Sequence, residues 1–230
     1  GKPLPPDLIE RMIALRQHDA DYGNLLLLAW ATDLKTEVNT YGPPPLKRMT
    51  ELFLEMDAYD IGIRERDEGR PPFAPLIVPH EITQGGPVMQ DANVKVTAAL
   101  VQHPPVQPAF AYRFDCPDRA IVFSGDTRPS QNLLALARGA DVLVHEVIDL
   151  HAIDAVVKNE SQATRLRQHL EAAHTPMSEV GRIATEAGVK TLVLNHFVPG
   201  APPIPDRVWY DAVKPHFDGR LIIGHDLMEL

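Results

Sequence analysis

Three short apolar runs, each delivering polar side chains into a chain reversal, set the rhythm of this sequence. Ala120-Ile-Val-Phe123 runs into Ser124-Gly125-Asp126, Asp141-Val-Leu-Val144 into His145-Glu146, and Thr191-Leu-Val-Leu194 into Asn195-His196. Apolar runs of this length bounded by turn residues predict buried strands. Behind the first, Pro129-Ser130 opens a run with Leu133, Leu134, Leu136 and Ala137 that Gly139 closes. Proline early and glycine just past the end predict a helix there. Strand and helix units in alternation predict an α/β fold. In such sheets ligands bind beyond the carboxyl ends of the strands. Asp126, His145 or Glu146, and His196 are therefore the first candidates for chemistry.

Elsewhere the pattern is mostly helical before this region and mixed after it. Residues 6–17 place Leu8, Ile9, Met12, Ile13 and Leu15 at helical spacing. Asn24 to Ala31 reads as a buried helix, and Leu46 to Ala58 as an amphipathic one with Met49, Leu52, Phe53 and Met56 on its apolar face. The charged, proline-rich stretch from Ile61 to Pro75 predicts an exposed connection. Strands are expected over Val78–Thr83, Val94–Val101 and Ala109–Phe114. Ile148 to Glu171 predicts a helix, on which His151 and His169 face solvent. Thr175 and Pro176 open another helix that Gly188 ends, with Ile183 and Ala184 turned inward. Tyr210–Phe217 predicts a final helix and Leu221–Ile223 a final strand.

Composition narrows the class without changing this picture. The chain has 230 residues, enough for one well-cored domain, and a single domain over residues 1–230 is expected. Hydrophobic residues make up 44% and charged residues 23%, an ordinary globular balance. No apolar run approaches the roughly 18 residues of a membrane span. A net charge of −9 argues against a surface built to coat nucleic acid, while leaving room for a local basic contact at a site. The lone Cys116 builds neither an intrachain disulfide nor a thiolate zinc site, so a metal would be held by His and Asp. A cytoplasmic location is expected, or a periplasmic one if a signal peptide has been removed ahead of Gly1.

Further candidates sit at element ends. His103 leaves a strand into Pro-Pro-Val-Gln-Pro108, where prolines fix the backbone; it reads as a ligand or as a turn histidine. His174 lies just before a helix amino terminus, where backbone donors favour an anionic ligand. His18, in His-Asp-Ala-Asp21, reads as a ligand or as a helix-end histidine. Arg128 and Arg113 are the cations placed to meet a small anionic substrate.

With these residues placed, the chain from about Asp19 to Leu230 resembles the metallo-β-lactamase superfamily, in particular its ribonuclease Z-like hydrolases. The resemblance rests on Ser124-Gly-Asp-Thr127, His103 ahead of it, Val144-His-Glu146, His174-Thr175, Leu194-Asn-His196 and the closing Gly224-His-Asp-Leu-Met228, in this order. It implies an αββα sandwich whose strand tips hold one or two metal ions, zinc first and manganese or iron as alternatives. It also implies that His18, His103, Asp126 and His196 are metal ligands, with Asp126 bridging, and that His174 contacts the phosphate or leaving group beside Arg128. The implied activity is metal-dependent hydrolysis of a phosphodiester, a sulfate ester or a carboxylic ester or lactone; the net charge of −9 and the lack of a long basic arm favour a small anionic or ester substrate over a nucleic acid.

The family's first ligand motif, His-x-His-x-Asp-His, departs from pattern here. Its place reads Ile13-Ala-Leu-Arg-Gln-His18, so only the last histidine survives, and Ile13, Leu15 and Gln17 stand where donors are expected. Some 50 residues that normally precede it, forming strands of the first sheet, have almost no counterpart in this sequence. The departure opens a second reading, a catalytically impaired member or fragment acting as a binding or assembly module. An uncovered sheet edge would favour pairing with another chain, so a homo-oligomer is expected.

Overall fold

The computed structural model describes residues 21–158, 163–200 and 203–229. It divides into two compact units, Gly1–Thr83 and Gln84–Leu230. The helix expected over residues 6–17, with His18 after it, lies outside the described residues.

The first unit runs α1 (Tyr22–Ala31), β1 (Val38–Gly42), α2 (Leu46–Met56), α3 (Ala58–Asp67) and β2 (Ile77–Glu81), and β1 and β2 pair in parallel. Its core gathers Tyr22, Leu26, Trp30, Val38, Leu46, Ile61, Phe73 and Ile77. Trp30 stacks on Phe73 with ring centroids 4.8 Å apart. Three expectations fail here. Residues 58–67 form a helix rather than an exposed connection, because Ile61 is buried on one side while Asp60, Arg64 and Glu68 pair along the other. The buried face of α2 is also turned from the one its apolar spacing suggests. Leu46 and Thr50 are buried, whereas Leu52 and Met56 are exposed. Thr50 can go inside because its hydroxyl donates to the Leu46 carbonyl at 2.9 Å and meets the Tyr22 hydroxyl at 2.8 Å. Likewise α1 is only half buried, with Leu25 and Leu28 exposed.

The second unit is one seven-stranded sheet in the order β3 (Gly86–Gln90), β4 (Lys95–His103), β5 (Val106–Asp115), β6 (Ala120–Phe123), β7 (Val142–Ile148), β8 (Thr191–Val198) and β9 (Arg220–Ile223). The helices interleaved with it are α4 (Gln131–Ala137), α5 (Leu150–Val157), α6 (Ala163–Ala173), α7 (Met177–Ala187) and α8 (Asp206–Val213). β3 to β6 pair antiparallel and β6 to β9 parallel. Two antiparallel steps restore direction, so β4 points the same way as β6 to β9 and their carboxyl ends lie along one edge of the sheet. β3 was not expected, because it carries Gly86 and Pro87. As the terminal strand it tolerates a proline that a central strand would not.

Beneath that edge Val122, Leu133, Leu143, Leu192 and Leu194 are fully buried, packed with residues of α4, α7 and α8. α7 ends as expected, with Gly188 in the left-handed region at φ 68°. Arg113 is a correction. Its guanidinium donates to the Leu136 and Arg138 carbonyls at 2.9 and 3.0 Å and to Asp115 at 2.8 Å, so it clamps the end of α4 and does not meet a substrate. No helix among the described residues is long and apolar enough to cross a membrane.

Candidate metal centre

Five side chains reach the carboxyl edge of the sheet, and irregular backbone aims two of them. The pairing of β4 with β5 slips between Val101 and His103, where the single Gln102 faces Gln107 and Pro108, so an extra residue of β5 lies opposite the end of β4. The pairing of β7 with β8 slips as well: Glu146 faces Asn195 and Val147 faces Phe197, which leaves His196 as the extra residue. His196 also has φ 43°, a left-handed conformation that costs a non-glycine residue on the order of 1 kcal/mol. Bulges of this kind re-aim side chains. Asp126 arrives by another route, since Gly125 at φ 58° reverses the chain as it leaves β6.

The result is a buried, polar cluster. His103, Asp126, His145, Glu146 and His174 are each under a tenth exposed. One ligand atom each from His103, Asp126 and His174 lie within 4.8 Å of one another, and the same holds for Glu146, His174 and His196. Asp126 Oδ1 is 3.4 Å from His196 Nδ1. The His174 ring stands edge-on to His103 at 5.2 Å and stacks on His196 at 5.6 Å between centroids. His103 Nδ1 lies 3.0 Å from the Ala173 carbonyl. A carbonyl only accepts, so Nδ1 carries the proton and Nε2 the lone pair.

Glu146 ties the loops together. Its Oε1 accepts backbone N–H groups from Thr175 at 2.8 Å and Thr127 at 3.3 Å, and its Oε2 sits 3.2 Å from His174 Nδ1. Thr175, expected to cap α7, instead donates its hydroxyl to the Thr127 carbonyl at 2.5 Å, and the residue before α7 is Pro176 with no side-chain cap. The segments after β6 and α6 are thus both locked to one carboxylate on β7. Burial pushes Glu146 well above the usual carboxylate range and lowers His174. Arg128 is exposed at the rim, with Nε donating to Gln102 Oε1 at 2.5 Å. His151 and His169 are exposed as expected, although the His169 ring lies 6.4 Å from that of His103.

The open choice between His145 and Glu146 is resolved by geometry. His145 is fully buried and belongs to neither ligand cluster; its Nδ1 donates to the Glu146 carbonyl at 2.7 Å, and its Nε2 has no hydrogen-bond partner. Burial lowers its pKa from 6.5 to about 4. The unfolded chain takes up this proton near pH 6.5 and the native chain only near pH 4. Proton uptake therefore favours unfolding as pH falls through that window, by up to about 3 kcal/mol. His145→Leu is expected to lose about that much less stability than the parent between pH 6.5 and 4 in denaturant melts; parallel curves would show that His145 is not the group responsible.

As to metal, two imidazoles and a carboxylate that converge while buried, with His103 Nδ1 fixed by a carbonyl, form a donor set fit for a divalent ion.

Comparison with known proteins agrees with this geometry. A family model described as "Beta-lactamase superfamily domain" matches residues 47–197. The chain is 31% identical over 213 residues to a ribonuclease Z of Mycobacterium bovis (strain BCG / Pasteur 1173P2), covering 91% of this chain and 74% of that protein. It is 32% identical over 212 residues to a ribonuclease Z of Mycobacterium sp. (strain KMS), covering 91% and 72%. Among solved structures it is similar to the metallo-β-lactamase fold protein YhfI from Bacillus subtilis (TM-score 0.59, 18% identity, 90% of this chain and 70% of that one). It is also similar to the short form of human tRNase Z (TM-score 0.57, 17% identity, 90% and 71%).

Proposed function

This chain belongs to the ribonuclease Z-like branch of the metallo-β-lactamase superfamily, a group of metal-dependent hydrolases, and we propose that the bond it cleaves is a phosphodiester. The observation that carries the reading is the convergence of His103 and Asp126 from strand ends with His174 from the turn before α7, and a second carboxylate, Glu146, behind His174. Relatives at 31% and 32% identity bear the name ribonuclease Z, which favours a phosphodiester over a sulfate or carboxylic ester.

Metal ligands are drawn from His103, Asp126 and His196. The His and Asp donors suit zinc. When bound there, a divalent ion supplies Lewis acidity and makes water acidic enough to serve as a nucleophile at neutral pH. The chain's own residues do the rest. Arg128, exposed at the rim, meets the anionic phosphodiester. His174 faces the leaving oxygen, held at Nδ1 by Glu146, and passes it a proton. Glu146, with Oε2 3.2 Å from Nδ1, orients the ring for that transfer.

RNA is the phosphodiester to which the relatives' names point, although a net charge of −9 places the contact at local cations rather than on a broad basic face. The non-catalytic module is not favoured, since a scaffold without chemistry gains nothing from burying two carboxylates and three imidazoles side by side. Assembly of copies suits the first unit, whose Leu25, Leu28, Leu52, Met56 and Tyr59 are exposed.

The reading is tested with zinc-loaded protein on bis(p-nitrophenyl) phosphate, p-nitrophenyl sulfate and p-nitrophenyl acetate. The expected result is kcat/KM for the phosphodiester at least about tenfold above the other two, each tenfold step reflecting about 1.4 kcal/mol of preferential transition-state binding. A preference for the sulfate or the acetate would overturn the phosphodiester assignment.

A further inference from the structure

We propose that in the substrate-free protein His174 is itself a metal ligand, completing with His103 and Asp126 a three-donor site for a single divalent ion. This rests on the metal-hydrolase reading above and adds to it. The imidazole that faces the leaving group once substrate is bound is a donor to the ion before substrate arrives.

Three observations carry it. The ligand atoms of His103, Asp126 and His174 lie within 4.8 Å of one another, close enough for one ion to draw them together, and all three residues are buried. Both imidazoles are held from behind in the way metal-bound histidines are. The Ala173 carbonyl takes the proton of His103 Nδ1, and the Glu146 carboxylate lies 3.2 Å from His174 Nδ1. With Nδ1 engaged, Nε2 is left as the donor on each ring, and a carboxylate behind a histidine raises its basicity toward a metal. The rival cluster of Glu146, His174 and His196 is weaker, because both Glu146 oxygens are already committed, Oε1 to two N–H groups and Oε2 to His174.

The sequence supplies the reason. In the segment that resembles the family's first ligand motif, Ile13, Leu15 and Gln17 carry side chains that do not serve as zinc ligands. His196 does not cluster within 4.8 Å of both His103 and Asp126, so a single ion held by that pair has two protein ligands, whereas catalytic zinc sites keep three and leave a position open. His174 is the buried imidazole at hand to make the third.

The test is zinc affinity by competition with a chromophoric chelator, together with the visible spectrum of the cobalt-substituted protein, in the absence of substrate. The parent, His103→Ala, Asp126→Ala, His174→Ala and His174→Gly are compared, with circular dichroism confirming each fold. The inference expects His174→Ala to lose affinity on the order of 10²-fold, as His103→Ala does, and expects millimolar imidazole to restore the cobalt spectrum of His174→Gly. Parent-like affinity in His174→Ala beside losses in His103→Ala and Asp126→Ala would overturn the inference and leave the hydrolase reading standing. A His174→Gly variant that stays folded but is not rescued by imidazole would also overturn it. Absence of zinc binding in the parent would bring down both.

Discussion

Replacing Asp126 by alanine is expected to reduce phosphodiester turnover by about 10³-fold or more, the largest loss from any single change at the site. Asp126 is the carboxylate common to the site's contacts: its ligand atoms converge with those of His103 and His174, and its Oδ1 is 3.4 Å from His196 Nδ1. Removing it takes the anionic donor from a metal centre that otherwise has only neutral imidazoles. It also leaves histidines crowded together without the charge that balances a bound cation. Losing several kcal/mol of charge stabilisation at about 1.4 kcal/mol per decade gives the magnitude. Asp126→Asn keeps the shape and loses the charge, so it should fall nearly as far. Rates of both variants at saturating zinc, with melting temperatures near the parent's, check the claim. A loss below about tenfold in Asp126→Ala would show that the carboxylate is not central.

His174→Gln is expected to lower kcat by about 10²- to 10⁴-fold at saturating metal, with KM little changed, and by an amount that depends on the leaving group. An alkoxide leaves poorly without a proton, whereas p-nitrophenolate hardly needs one. The loss should therefore be large on an alkyl phosphodiester and small on bis(p-nitrophenyl) phosphate. Metal saturation removes the contribution of weakened zinc binding, so the dependence on leaving group isolates the proton. Equal losses on both substrates would rule out proton donation by His174. Glu146→Gln keeps a group of the same size beside Nδ1 and removes the carboxylate that orients the ring, and should follow the same pattern more weakly.

Much of the second unit was legible in the sequence because its strands are short, apolar and end on turn residues. Ala120–Phe123 is a strand with the bounds expected, and Gly188 ends α7 as a left-handed glycine should. The first unit was harder to read. Thr50 is buried through hydroxyl contacts that no pattern of apolar residues reveals, which rotates the inner face of α2 away from Leu52 and Met56. Candidate site residues could be named because strand exits are where polar groups gather, and the structure brings His103, Asp126, His174 and His196 to one edge. The knot around Glu146 was not legible. It depends on backbone N–H groups of Thr127 and Thr175, residues 48 positions apart, and spacing carries no signal of that kind. Nor does spacing announce that His196 is the extra residue of a bulge, since Thr191 to Val198 reads as an unbroken strand.

The division of the sheet into an antiparallel half and a parallel half also orders events as the chain folds. β4 and β5 meet through a turn of two residues, so their pairing closes a small loop and forms early. β7 and β8 are joined only after α5, α6 and α7 have crossed between them, a contact with a high entropic cost of closure. His103 belongs to the first of these and His196 to the second, while His174 lies on the crossover. The ion's donors cannot converge until the slowest long-range pairing is made. Zinc uptake in a refolding experiment should accordingly trail the recovery of secondary structure, and an ion that binds only the finished site pulls that last step to completion.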